Sequence, residues 1–211
     1  MPRMSVDDAP TRQSRHKKQQ RDALRERILE VSRGIVKREG LASLSMRKLA
    51  EAIDYSPAAL YLHFRNRGEI ERALREEGHA QLRAAFEPHA SIADAAARLR
   101  AIGRAYVQFG LNEPETYRLM FMDHANTNAN SANVSDDSAA MLSLIADAFL
   151  ELQAANRLVR LPSGAAATAC AQAFWANLHG ITALQLNGAA SADVAARELV
   201  ELSLDAWLAA C

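Results

Sequence analysis

The sequence predicts an all-α protein of about nine helices, a three-helix N-terminal domain followed by a larger helical body. Three observations lead there. Apolar residues recur at spacings of three and four along most of the chain, as amphipathic helices require. Capping residues stand where those runs begin and end. No stretch alternates apolar and polar residues for the length of a strand.

Taken in order, residues 1–19 are polar, carry Pro2 and Pro10, and lack an apolar period, so they read as a flexible basic arm. From Gln20, the positions Leu24, Ile28, Leu29, Val31, Ile35 and Val36 mark a first helix that stops at Gly40. Ser45 caps a second, short helix with Met46, Leu49, Ala50 and Ile53 on one face, broken at Asp54 and Tyr55. Ser56 caps a third, with Pro57 at its first position, running to about Phe64. After a turn at residues 65–68, a fourth helix is expected from Glu69 to about Phe86, ended by Pro88. Ser91 and Asp94 resemble a capping box for a helix reaching about Gly110, and Pro114 opens a short helix to Met122. Residues 124–135, rich in Asn, Ala and Ser, read as an exposed loop. Three helices follow, at about 136–158, 164–187 and 191–209.

Of the 211 residues, 49% are hydrophobic and 24% charged, which suits one or two globular domains and excludes a disordered chain. Basic and acidic residues number 25 each, and that neutrality taken alone argues against a nucleic-acid binder. Position reverses the inference. Residues 1–67 hold 15 Lys/Arg and 8 Asp/Glu, a net +7, while residues 68–211 hold 10 and 17, a net −7. A basic head on an acidic body points to phosphate at one end only, or to a solvated basic tail. No apolar run reaches the ~18 residues that span a bilayer and the N-terminus does not resemble a signal peptide, so a cytoplasmic protein without membrane contact is expected. Cys170 and Cys211 are too few for a disulfide framework or a metal site. No nucleophile, metal-ligand spacing or cofactor motif is present, so no catalytic residue, metal or cofactor is expected.

The stretch LSMRKLAEAIDYSPAALYLHFRNRG, Leu44 to Gly68, carries the chemistry. Two short helices joined by a tight turn suit a helix-turn-helix, whose second helix lies in the DNA major groove while the first crosses the backbone. Ala50 is the small residue the helix contact needs, and Leu60 and Phe64 face inward. Asp54 stands where the turn requires a left-handed backbone. The pattern Leu49-Ala50, Ser56, Leu60-Tyr61, His63-Phe64, Arg67 resembles the TetR family of bacterial transcriptional regulators over about residues 20–75. Two positions depart from it: Asp54 replaces a Gly and Arg67 a Lys. The resemblance implies that Arg47, Tyr61, His63 and Arg67 face the DNA backbone. It implies the same for Ser45, which a plain N-cap explains equally well. Base readout is expected from Ser56, Ala58, Ala59 and Tyr61 near the start of the third helix, where small side chains admit the helix deeply and a methyl touches thymine; Pro57 stands with them among the DNA-binding residues. In the arm, Lys17 and Lys18, with Arg12, Arg15 and Arg21, either reach a neighbouring groove or are merely solvated.

For the body, domain 68–211 after the head at 20–67, the family resemblance implies effector binding and dimerisation. FWANLHGITALQL, residues 174–186, is similar to the Trp-x-x-x-His-Gly pattern of the WHG subgroup. Trp175 and His179 share a helix face, and Gly180 reads as a site of close helix approach. Together with Tyr106, Phe109, Tyr117 and Phe121 they are either a mainly apolar effector pocket or ordinary core; Met120 and Phe174 belong to the same set. Alanines 166, 169, 173 and 176, with Val194, Leu199, Leu202 and Leu208, suit a homodimer through the last two helices. Such a dimer presents two reading helices about 34–36 Å apart to double-stranded, palindromic DNA. The expected function is a repressor released by an unknown apolar small molecule. The other reading is a DNA-bound interaction protein whose body docks a protein partner.

Overall fold

The computed structural model describes residues 12–122, 136–157, 166–189 and 194–208. Among them there are nine α-helices, one 3-10 turn and no strand. The contacts divide the chain into two compact units, Met1–Leu74 and Arg75–Cys211. The division falls inside α4 rather than at residue 67, where the charge changes, because Ile70, Ala73 and Leu74 are still buried residues of the first unit.

In the head, α1 spans Arg12–Glu39 and so takes in residues 12–19 of the expected arm. The described side chains before Leu24 are all exposed, which is why no apolar period marks this part. Gln, Lys and Arg are good helix formers, and with no Gly or Pro between Arg12 and Gly34 the helix extends outward from its packed half. The rest of the arm, residues 1–11, lies outside the described residues. Gly40, at φ 77°, ends α1, and a 3-10 turn at Leu41–Ser43 leads into α2, Met46–Ile53. Ser45 Oγ accepts from the Lys48 N–H at 3.2 Å. Asp54 takes the left-handed conformation expected of it (φ 58°, ψ 47°), and the Tyr55 N–H reaches back to the Ala50 carbonyl at 3.0 Å. Helix α3, Pro57–Tyr61, has Ser56 as its cap and is three residues shorter than expected. Leu44, Leu49, Ala50, Leu60 and Phe64 are almost wholly buried.

Helix α4 spans Arg67–Ala90 and starts earlier than Glu69 because Asn66 caps it: its Oδ1 accepts from the Glu69 N–H at 3.0 Å. Glu69 in turn accepts from the Arg65 N–H at 2.8 Å. Pro88 does not end the helix. It lies in the last turn, where the hydrogen bond its ring removes is one of few remaining, and two more residues follow.

The body is built around α5, Ala95–Asn112, which contacts α6 (Pro114–Phe121), α7 (Asp136–Ala154), α8 (Ala167–Leu186) and α9 (Ala196–Leu208). Asp94 alone caps α5, its Oδ1 accepting from the Ala97 N–H at 2.8 Å; Ser91 lies in the turn before it, so the expected capping box is absent. Phe149, Phe174 and Trp207 meet edge to face, with centroids 5.8–6.1 Å apart, in the middle of the core. Arg104 grips Glu201 through two hydrogen bonds of 2.6 and 2.7 Å and Arg100 reaches Asp205 at 2.7 Å, fastening α9 to α5. Arg98 is buried, with its guanidinium satisfied by the Ile92 carbonyl and Glu151. The expected loop at 124–135 lies outside the described residues.

Close helix approach occurs at α5, not at Gly180. A Cβ on Gly180 would meet nothing within 4 Å, whereas one on Gly110 would overlap Thr182 Cγ2 and stand 3.1 Å from the Tyr117 ring. Gly110→Ala gains about 1 kcal/mol of helix propensity but forces about 1–3 kcal/mol of overpacking onto fully buried neighbours. We expect the body of the Gly110→Ala protein to be less stable by up to about 2 kcal/mol in urea unfolding, and that of Gly180→Ala to be no less stable than the parent.

Candidate functional site

In the head, the positions proposed to meet DNA lie along α2, α3 and the residues after them. Ser45 and Ser56 each use a side-chain oxygen as a cap, and both remain exposed. Pro57, Ala58 and Tyr61 are exposed, Tyr61 by 53%, and Ala59 is half-buried. An open groove of about 510 Å³ between α2 and α3 is lined by Arg47, Ala50, Glu51, Asp54, Tyr55, Ser56 and Pro57. Arg47 projects into solvent and pairs with Glu51 at 2.9 Å, which raises its pKa further. That carboxylate must share Arg47 with any phosphate.

His63 is half-buried. Its pKa is lowered, first by burial and then by the positive charges of Arg21 and Arg25. Arg25 also lies over the Phe64 ring, 4.2 Å from its centroid, with Nη1 3.4 Å from the His63 carbonyl. Three cationic or basic side chains therefore gather beside the C-terminal end of α3. Lys17 and Lys18 are exposed on the first turns of α1.

Arg67 behaves differently from the others. Its Nη2 donates to the Leu41 carbonyl at 3.0 Å and its Nε to Glu71, so the guanidinium braces α4 against the 3-10 turn. A sequence pattern shows the charge but not this internal engagement. Sequence reasoning also missed Tyr55 and Leu62, exposed by 50% and 79%. Leu62 had a usable signal: at 100° per residue it stands about half a turn from buried Leu60 and Phe64.

In the body, five of the six candidate ligand residues come together. Tyr117 Oη is 2.6 Å from His179 Nδ1 and 3.0 Å from Tyr106 Oη, which is itself 3.4 Å from the same nitrogen. His179 stacks between Trp175 and Tyr117, each centroid 5.6 Å away. Phe121 packs on Tyr117, Trp175 and His179 at 4.9, 6.0 and 5.5 Å. Phe109 is buried but is not among these stacked rings. His79, which sequence reasoning missed because it is isolated on α4, meets Phe121 edge to face at 5.6 Å and hydrogen-bonds Ser138 at 3.0 Å.

Burial dominates the electrostatics of this cluster. Tyr106 and Tyr117 are almost fully enclosed, which pushes the Tyr106 phenol well up and that of Tyr117 up to about 12; neighbouring hydroxyls partly offset the latter. Desolvation lowers the pKa of His179, so the ring is held neutral. The cluster can offer hydrogen bonds within an aromatic wall. Among the described residues, no group of three or more His, Cys, Asp or Glu is placed to hold a metal. Cys170 is buried, which raises its thiol pKa; Cys211 lies outside the described residues.

Two outcomes follow from these placements. Arg67→Ala should loosen the head by about 1–2 kcal/mol, read as faster amide exchange in α1 and α2, while Arg47→Ala changes that exchange by less than about 0.5 kcal/mol. For His179 the folded pKa lies below the unfolded one, so its contribution to stability is full above the unfolded value and is lost as pH falls through it. Stability of the body should therefore drop as pH falls below about 6.5 and on through the lowered folded pKa, less steeply in His179→Phe, as followed by thermal unfolding.

Comparison with known proteins identifies the family. Residues 28–74 match the model for bacterial regulatory proteins of the tetR family, and residues 99–207 the model for a tetracyclin repressor-like C-terminal domain. The second match contains the Trp175, His179 and Gly180 pattern and is consistent with it. A protein of unknown function from Rhodococcus sp. RHA1 is 30% identical; the match covers 88% of this chain and 94% of that one, with a TM-score of 0.74. A bacterial regulatory protein of the tetR family from Rhodococcus RHA1 shares the fold at 20% identity over 87% and 96% of the two chains, TM-score 0.66. So does AibR, solved with isovaleryl coenzyme A and operator DNA, at 17% identity over 89% and 99%, TM-score 0.66. Such regulators are not enzymes, and no described helix is long and apolar enough to cross a membrane. The chain belongs to the TetR family and is a DNA-binding transcriptional regulator.

Proposed function

We propose that the chain works in the cytoplasm as a homodimeric repressor that leaves a palindromic operator when a small, largely apolar molecule enters the body. The observation that carries this reading is the conjunction of an exposed, capped helix pair in the head with a histidine–tyrosine cluster walled by aromatic rings in the body. Arg47, Ser45, Tyr61 and His63 hold the DNA backbone, and Ser56, Pro57, Ala58 and Ala59 face the bases, with Lys17 and Lys18 on phosphates beyond them. Arg67 acts chiefly by bracing these elements. AibR, solved with isovaleryl coenzyme A and operator DNA, supports a role for both DNA and a ligand on this fold.

Dimerisation is assigned to α8 and α9. Ala169, Ala173, Ala176 and Leu184 are exposed at helical spacing on α8, and Leu202 and Ala206 on α9, with an Asn177–Ser203 hydrogen bond between the two helices. Leu184 and Leu202 are 50% and 61% exposed, which is costly for leucines left in water and natural for a bundle seam. Leu208, expected on this face, is instead in the core of its own unit, and Val194 and Leu199 are half-buried.

Effector and operator are linked through α4, a single helix whose residues belong to both units. His79 on that helix touches Phe121 of the aromatic wall, and Arg75 donates to the Leu119 carbonyl at 3.1 Å. A ligand that binds one setting of these contacts better than the other shifts the equilibrium between operator-bound and free forms.

Fluorescence anisotropy of purified protein on DNA from upstream of its own gene, over a salt series, tests the proposal. Expected is tight, sequence-selective binding whose affinity falls linearly with the logarithm of salt concentration. Binding that is weak and indifferent to sequence overturns it. The double variant Leu184→Glu/Leu202→Glu should sediment as a monomer and lose at least about tenfold in operator affinity, since each half-site is then bound alone.

A further inference from the structure

Leu62 is the most exposed large apolar side chain among the described residues, at 79%. The core of the head is filled without it, by Leu60 and Phe64 on either side. Its position on α3 sets it apart from a leucine scattered on a surface. The backbone is still helical at Leu62 (φ −72°, ψ −18°), and its N–H returns to the Ala59 carbonyl at 3.3 Å. At about 100° per residue it stands about 200° around the helix from Leu60 and about 40° from Ala58. Ala58 is exposed and Ala59 half-buried, so Leu62 is the longest side chain on the face of α3 turned away from the core.

That face carries no hydrogen-bonding side chain. Ala58, Ala59 and Leu62 offer only apolar groups, and the Ser56 oxygen at the start of the helix accepts from the Ala59 N–H at 3.3 Å. Positive charge stands beside the face rather than on it. Arg65, three residues on, is 88% exposed, and Arg21 and Arg25 lie close enough to His63 to lower its pKa. An apolar crest with guanidinium groups beside it complements a duplex, whose phosphates rim the major groove and whose base edges form its floor.

In that floor the C5-methyl of thymine is the one apolar feature. Against guanine, adenine or cytosine a leucine displaces water from a donor or an acceptor and returns no hydrogen bond. Resting on the reading above of α3 as the base-facing helix on a palindromic operator, we propose that Leu62 is a specificity-determining residue that packs on a thymine methyl in each half-site. It selects thymine in two ways, through the methyl it covers and through the polar edges it leaves unsatisfied at other bases. The half-site is thereby required to hold an A·T pair beneath the C-terminal end of α3.

Deoxyuridine differs from thymidine only by that methyl. DNA protected by the protein upstream of its own gene is prepared with dU in place of dT, one position at a time and in both halves together. Affinities of the full-length protein are then measured by fluorescence anisotropy. At one position the parent protein should lose about threefold to fivefold for each half-site. Leu62→Ala should bind the unmodified operator at least about tenfold more weakly, lose the response to dU at that position alone, and bind random-sequence DNA within about twofold of the parent. Leu62→Met keeps an apolar side chain of similar reach and should retain most of the discrimination. Because the side chain is exposed, melting temperatures of both variants should match that of the parent. Leu62→Ala protein that binds the operator as tightly as the parent, or that keeps every response to dU, overturns the inference. So does a loss of self-association in Leu62→Ala at unchanged operator affinity, which assigns the side chain to a contact between proteins. If the parent does not select this DNA from random sequence, the base-facing reading of α3 itself falls, and this inference with it.

Discussion

The body depends on a side chain that is missing. At Gly110 the surface of α5 is bare, and Thr182 of α8 and the ring of Tyr117 occupy the space a methyl would fill. This lets α5 and α8 run close, and it brings two buried phenols into line with an imidazole four residues beyond Trp175. The polar chain and the aromatic wall are consequences of that approach. Neither phenol is tolerable in so enclosed a place without its partner, so packing and hydrogen bonding select the same arrangement.

The head is held by a different device. Its two reading helices are too short to be stable by propensity, α2 having eight residues and α3 five, and each is defined by its ends. Ser45, Ser56 and Asn66 supply caps, Gly40 and Asp54 supply left-handed exits, and Arg25 and Arg67 bind carbonyls at the ends of neighbouring turns. Such a structure presents side chains at defined positions over a core that includes Ile28, Ile35, Leu44, Leu49, Leu60 and Phe64. That arrangement suits contact with a rigid duplex.

Much of this was legible in the sequence, and the exceptions have physical reasons. Caps and apolar periods are local, so α2, α3, α6 and the Asp54 turn could be read directly. The first turns of α1 could not, because an unpacked helix has no apolar stripe. The extension of α4 past Pro88 escaped notice because a proline harms the last turn of a helix far less than its middle. At the candidate site, the Trp175 and His179 pair is visible from i, i+4 spacing, whereas its meeting with Tyr106, Tyr117 and His79 depends on contacts between distant helices. Gly180 was a misleading signal: a glycine in a helix announces room for a neighbour only if a neighbour is there, and at α8 the close partner was Thr182 facing Gly110. The engagement of Arg67 with Leu41 and Glu71 was not legible either, since charge alone does not tell whether a guanidinium has internal partners.

Both tryptophans of the chain belong to the body, and neither is in solvent-exposed surroundings. Trp207 sits among Phe149 and Phe174, and Trp175 is stacked on His179. The head has only Tyr55 and Tyr61 as chromophores besides Phe64. Light absorbed selectively by indole therefore reports on the body alone, and one of its two sources lies directly against the His179 ring. The protein carries an intrinsic optical label on one unit and is silent on the other.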